Sequence, residues 1–148
     1  MLKAKAVYQL THKPVLADDS GLCIDALNGE PGIYSARYAG KNKTDEEKCL
    51  FLLNKMKNIT DMSKRTCHLV TCICFIDKSG KEHYFEKYLY GQIAFSLNGR
   101  NGHGYDPIFL LPNGQHLAEM SIEEKNQISH RGQAINELVN YLKNNGVY

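Results

Sequence analysis

Along the first ten residues Leu2, Ala6 and Leu10 recur at helical spacing with Val7 beside them, and nothing interrupts the pattern before Pro14. The spacing predicts a helix already running at the first residues, with no Ser, Thr, Asp or Asn ahead of it to cap its free N–H groups. Pro14 to Ala17 is an apolar run that reads as a buried strand, and Asp18-Asp19-Ser20-Gly21 reads as the turn that ends it. Leu22 to Leu27 alternates loosely and predicts a short second strand, closed by Asn28-Gly29-Glu30-Pro31-Gly32.

The periodicity then changes. Thr44 and Glu47 form a capping-box signature, and Cys49, Leu50, Leu52, Leu53 and Met56 supply the apolar face of a helix through about Lys57. Thr66 to Ile76 is β-branched and apolar, Asp77-Lys78-Ser79-Gly80-Lys81 is a hairpin-type turn, and His83 to Phe95 is the returning strand. A glycine-dense loop from Asn98 to Pro107 leads into apolar Ile108 to Leu111. Ser121 and Glu124 make a second capping box. Ser129 caps a last helix whose buried stripe is Ala134, Ile135, Leu138, Val139 and Leu142, ending at Gly146. Helices and strands are interleaved, which predicts an α/β or α+β architecture, and no repeat or linker-like stretch divides the chain, so residues 1–148 are expected to form one domain.

Composition narrows the function classes. With 43% apolar and 23% charged residues the chain is an ordinary globular sequence, not a disordered or collagen-like one. A formal net charge of +2, with scattered basic residues, predicts neither stable nucleic-acid binding nor attraction to a membrane surface. No apolar run reaches membrane-spanning length and the N-terminus lacks a signal-peptide pattern, so a cytoplasmic protein is expected. The five cysteines fit reduced thiols better than a disulfide framework, and Cys67-His68 with Cys72-Ile73-Cys74 lacks the spacing of zinc knuckles.

Three polar groups remain to be explained: the Asp18-Asp19-Ser20 segment, the Gly-His-Gly-Tyr-Asp-Pro loop at 102–107, and Lys125, His130 and Arg131. Taken singly they read as turn chemistry, a flexible loop and solvated helix residues. Together they read as a nucleotide site. Carboxylates bind Mg²⁺, Lys and Arg neutralise phosphate oxygens, and a glycine loop lets a base approach the backbone. The glycines match neither a P-loop nor a dinucleotide-binding fingerprint.

These segments also carry a family likeness. Ala17 to Leu22, Leu27 to Gly32, Tyr34 to Gly40, Gly104 to Phe109, and Glu124-Lys125-Asn126 with Ser129-His130-Arg131 resemble, in order, the motifs of the HAM1 or inosine triphosphate pyrophosphatase family. The resemblance implies an α/β fold with an elongated mixed sheet and flanking helices in two lobes, and a homodimer. It implies a nucleoside-triphosphate diphosphatase that uses Mg²⁺ to convert non-canonical purine triphosphates (ITP, dITP, XTP) to monophosphate and pyrophosphate. By the same likeness Asp19 is the catalytic base and a metal ligand. Lys3, Ser20, His103, Gly104, Tyr105, Asp106, Lys125, His130 and Arg131 are the substrate-binding residues.

Two departures bear on that reading. His103 stands where the family usually has a Phe, so less apolar area covers the base. The family's opening strand, its phosphate-gripping loop and a metal-binding glutamate have no counterpart before Met1, so the expectation is an N-terminally truncated chain with impaired activity. The alternative reading is a non-catalytic nucleotide-binding or oligomerisation remnant of the same fold.

Overall fold

The computed structural model describes residues 1–146. Its elements are α1 (Leu2–Thr11), β1 (Val15–Ile24), α2 (Asp45–Lys55), β2 (Thr66–Ile76), β3 (Glu82–Ile93), β4 (Phe109–Leu110), α3 (Ile122–Ile128) and α4 (His130–Asn145), with short 3₁₀ turns between them. The strands form a sheet in the order β1-β2-β3-β4, and every pairing is antiparallel. Both predicted capping boxes are present, Thr44 with Glu47 at α2 and Ser121 with Glu124 at α3. Ser129 accepts the Gly132 N–H to cap α4, which places His130 in that helix's first position. As expected, α1 starts without a side-chain cap.

One expectation is overturned. Asp18-Asp19-Ser20-Gly21 is not a turn: β1 runs unbroken from Val15 to Ile24, paired residue by residue with β2 from Val15↔Ile76 to Ile24↔Cys67. Asp25–Leu27, predicted to continue a second strand, is a 3₁₀ turn. Turn-forming residues tolerate extended backbone here because pairing with β2 holds the segment and Asp18, Asp19 and Ser20 keep their side chains out of the packed core. Gly21 is needed for a different reason than a turn. A Cβ there would lie 2.6 Å from the Gly32 carbonyl, because the 3₁₀ turn Gly32–Arg37 closes directly over the strand. Ser35 secures that contact, its hydroxyl accepting the Leu22 N–H at 2.9 Å and donating to the Gly32 carbonyl at 2.7 Å.

Strand alternation sorts the sheet into two faces. On one face Leu22, Ile24, Cys67 and Leu69 pack with Leu52 and Met56 of α2 and with Ile108, Phe109 and Leu117, while Ile73, Phe75 and Phe85 pack under Ala134 and Leu138 of α4. On the other, α1 lays Ala4 against Val15, Cys74 and Ile76. Where α2, β2 and β3 meet, Arg65 is only 2% exposed and, among the described residues, has no carboxylate partner. It donates instead to four main-chain carbonyls, those of Met56, Ile59, Ile93 and Ala94. Among the described residues no helix is long and apolar enough to cross a membrane.

Candidate active site

The residues singled out from the sequence converge on the β1 end of the sheet, but from two sides. Asp18 and Ser20 project toward α4, where Arg131 Nη2 donates to Ser20 Oγ at 3.2 Å and lies 3.5 Å from Asp18 Oδ2. Ser20 Oγ also shares a 2.5 Å hydrogen bond with the buried Thr71 hydroxyl, so its position is fixed from within the sheet. Asp19 alternates to the opposite face, beside Cys72 in the register. There Lys3 Nζ donates to the Asp18 carbonyl at 2.6 Å and lies 3.4 Å from Asp19 Oδ1. The Asp19 carboxylate is 73% exposed, so solvent and a ligand can reach it.

The glycine loop is tied down at each polar group. Asp106 is buried, and its Oδ2 accepts both the His103 N–H at 3.1 Å and the Lys125 ammonium, forming an ion pair whose side chains are 6% and 14% exposed. Gly102 makes room for that pair: with φ at +79°, a Cβ there would lie 2.1 Å from Asp106 Oδ2. The Gly104 N–H donates to Asp45 Oδ2 at 2.9 Å, and the Cys49 thiol donates to the Gly104 carbonyl. Tyr105 is buried and its hydroxyl donates to the Ser35 carbonyl at 2.7 Å, with burial pushing its pKa up to about 12. Lys125 is therefore held in a buried pair, where the sequence alone also allowed a solvated helix residue.

At the α3–α4 junction His130 is buried, and desolvation, reinforced by the Arg131 and Lys125 charges, lowers its pKa to about 4. The ring is neutral at pH 7. Two buried nitrogens here, His130 Nδ1 and Arg131 Nε, have no hydrogen-bond partner. Buried polar atoms are ordinarily satisfied, so orphans on two residues that line a cavity mark where a ligand is expected to pair.

Two adjoining cavities share His103, Lys125, His130 and Arg131. One, of about 310 Å³, opens between Gly102, Ile122 and Asn126. The other, of about 270 Å³, runs from Ser20 and Gly21 across Leu22, Leu69 and Tyr105. Apolar floors with a few converging polar groups suit a planar heterocycle with a polar edge. Asp45, Lys48 and Ser35 also line the second cavity, and sequence reasoning did not single them out as site residues. Thr44 and Glu47 announced a helix start, but nothing local announced that its first turn faces a loop 59 residues further on. Cys49 and Cys67 offer no nucleophile: both are buried, which raises their thiols to about 12 and keeps them protonated.

Among the described residues no cluster of three or more His, Cys, Asp or Glu side chains is arranged to hold a metal unaided. Asp19 fits a different kind of metal site, since Mg²⁺ is commonly held by one or two carboxylates with water and substrate phosphates completing the shell.

An α/β sheet edge carrying acidic residues, with a cationic helix junction and a glycine loop enclosing an apolar-floored cleft, defines a nucleotide-type site. The family follows from comparison: the profile of the Ham1 family matches residues 1–141, and the chain belongs to that family. It is 48% identical over 146 residues to a dITP/XTP pyrophosphatase of Staphylococcus aureus, covering 96% of this chain and 72% of that protein. A dITP/XTP pyrophosphatase of Borrelia duttonii is 43% identical over 150 residues, covering 96% and 74%. Among solved structures, the Ham1 protein of Staphylococcus aureus superposes with a TM-score of 0.91 at 46% identity, covering 97% of this chain and 74% of that one. A HAM1 protein from Coxiella burnetii gives 0.90 at 40% identity, with the same coverage.

Proposed function

We propose that this protein is a nucleoside-triphosphate diphosphatase that hydrolyses non-canonical purine triphosphates, dITP, ITP and XTP, to the monophosphate and pyrophosphate. The observation that carries the base preference is Arg131, a donor-only side chain on the cleft wall whose buried Nε has no partner among the described residues. An arginine N–H can only donate, so it pairs with a 6-oxo group and is left unsatisfied by the 6-amino group of adenine. Neutral His130 adds a second group on the same wall, able to donate or accept according to tautomer. The activity of the relatives, named dITP/XTP pyrophosphatases, supports the same substrate class.

In this reading the base occupies the cleft and the phosphates cross the edge of β1. Lys3, on the opposite face of the strand from Arg131, draws phosphate charge toward it. Lys125 stays paired with Asp106 and fixes the His103–Gly104 backbone, against which the base lies. His103 covers the base with its imidazole. Asp19, exposed and beside Lys3, accepts the proton from the water that attacks the α-phosphorus. Asp19 also holds a divalent cation, Mg²⁺ in our proposal, which supplies neutralisation of the developing phosphate charge when bound. Selective release of pyrophosphate from XTP and dITP over ATP tests the assignment.

We propose further that two copies associate. The support is an exposed aromatic cluster on the sheet face opposite α4. Tyr88 and Tyr90 stack with ring centroids 6.1 Å apart, and His68 packs on both at 5.6 and 5.7 Å. Tyr90 remains 66% exposed, an apolar area suited to burial in an interface. Sedimentation velocity is expected to report a dimer that Tyr90→Glu converts to monomer, whereas a monomeric parent protein contradicts the proposal.

A further inference from the structure

Of the cations lining the Ser20–Tyr105 cavity, two are already committed. Lys125 is hydrogen-bonded to Asp106 and Arg131 Nη2 to Ser20. Lys48 is the exception. It projects from the first half of α2, its side chain only 17% exposed, and the acid nearest to it, Asp45 Oδ1, stands 3.8 Å away. That distance is too long for a hydrogen bond, and among the described residues the Lys48 ammonium makes none. The other oxygen of Asp45 is spent on the Gly104 N–H, which fixes the carboxylate against the loop and keeps it from following Lys48. A half-buried ammonium held only by a long ion pair to Asp45, with its hydrogen-bond donors unused and in the cavity that Leu22, Leu69 and Tyr105 also line, is a site for an anion or a strong acceptor.

The substrate class in the proposed function supplies one. Xanthine carries carbonyls at both C2 and C6, and the N–H beside the C2 carbonyl is acidic enough that the base is largely anionic at neutral pH. Hypoxanthine lacks the C2 oxygen and stays neutral. We infer that Lys48 is a specificity-determining residue that favours xanthine over hypoxanthine nucleotides by facing the anionic edge of the base. The inference rests on the purine-triphosphatase reading and goes further, because that reading explains recognition of the 6-oxo group shared by both bases and is silent on what separates them.

Calorimetric binding of XMP and IMP to the protein at neutral pH, for the parent and for Lys48→Met and Lys48→Arg, tests it. The two ligands share a phosphate, so a lysine that only touches phosphate changes both affinities together. The expected result is tighter binding of XMP by the parent, a fall of roughly tenfold in the XMP-to-IMP affinity ratio in Lys48→Met, about the effect of one partly screened charge contact, and recovery in Lys48→Arg. An unchanged ratio in Lys48→Met, or equal binding of XMP and IMP by the parent, overturns the role of Lys48 and leaves the purine site standing. Binding of neither ligand by the parent overturns the purine reading itself, and this inference with it.

Discussion

Arg65→Met is expected to destabilise the fold by about 3–5 kcal/mol. Methionine fills much of the same volume, so the loss comes from polarity. Four main-chain carbonyls, of Met56, Ile59, Ile93 and Ala94, lose the guanidinium as a donor in a region closed to water, although that of Met56 keeps the Ile59 N–H. Those carbonyls belong to the end of α2, the segment after it, and the end of β3, which a single guanidinium fork stitches together. The Phe95 ring, 4.4 Å from the guanidinium carbon, adds a cation–π contact that the variant also loses. Urea unfolding followed by circular dichroism measures the change, the chain having no tryptophan to report it. A loss below about 1 kcal/mol would mean that the carbonyls find other donors, and the clamp would not be the structural keystone argued here.

Asp19→Asn carries the largest expected effect on activity. Asparagine keeps the shape but neither takes a proton at neutral pH nor supplies a charged metal ligand, so kcat for pyrophosphate release from dITP is expected to fall by roughly 10²–10⁴-fold. The fold should be indifferent to the change. Asp19 is 73% exposed and its contact with Lys3 is a surface ion pair of little energetic weight, so the thermal midpoint is expected to stay within a few degrees. That split separates a chemical role from a structural one. Turnover equal to the parent's would remove Asp19 from the mechanism.

How far the chain's sequence foretold the structure depended on whether the deciding physics was local. Capping boxes are satisfied within one helical turn, so Thr44 with Glu47 and Ser121 with Glu124 located α2 and α3, and Ser129 located the start of α4. The Asp77 to Lys81 turn is held by its own Asp77 carboxylate, which accepts from Ser79 and Lys81, and it announced the β2–β3 hairpin. Asp18 to Gly21 misled for the converse reason. Its residue types favour turns locally, whereas pairing with Val70 to Ile73 of β2 and the approach of Gly32 are long-range facts.

The site was legible in parts and illegible in arrangement. Acid, glycine-loop and basic clusters were each visible, yet strand alternation sends Asp19 and Asp18 to opposite faces, which depends on the segment being a strand at all. Asp45 and Lys48 carried no signal, since charged residues opening a helix are ordinary until the loop they face is known. Arg65 was not singled out in the sequence, and only the packed structure shows it surrounded by carbonyls.

The measurement that bears most directly on the assignment is the specificity of the reaction itself: product formation from XTP, dITP and ATP in the presence of Mg²⁺, with pyrophosphate and orthophosphate quantified separately. Arg131, a donor-only side chain on the cleft wall, predicts pyrophosphate and nucleoside monophosphate from XTP and dITP, with kcat/KM at least about 10²-fold above that for ATP. Equal turnover of ATP, orthophosphate as the product, or no pyrophosphate from any of the three would contradict it.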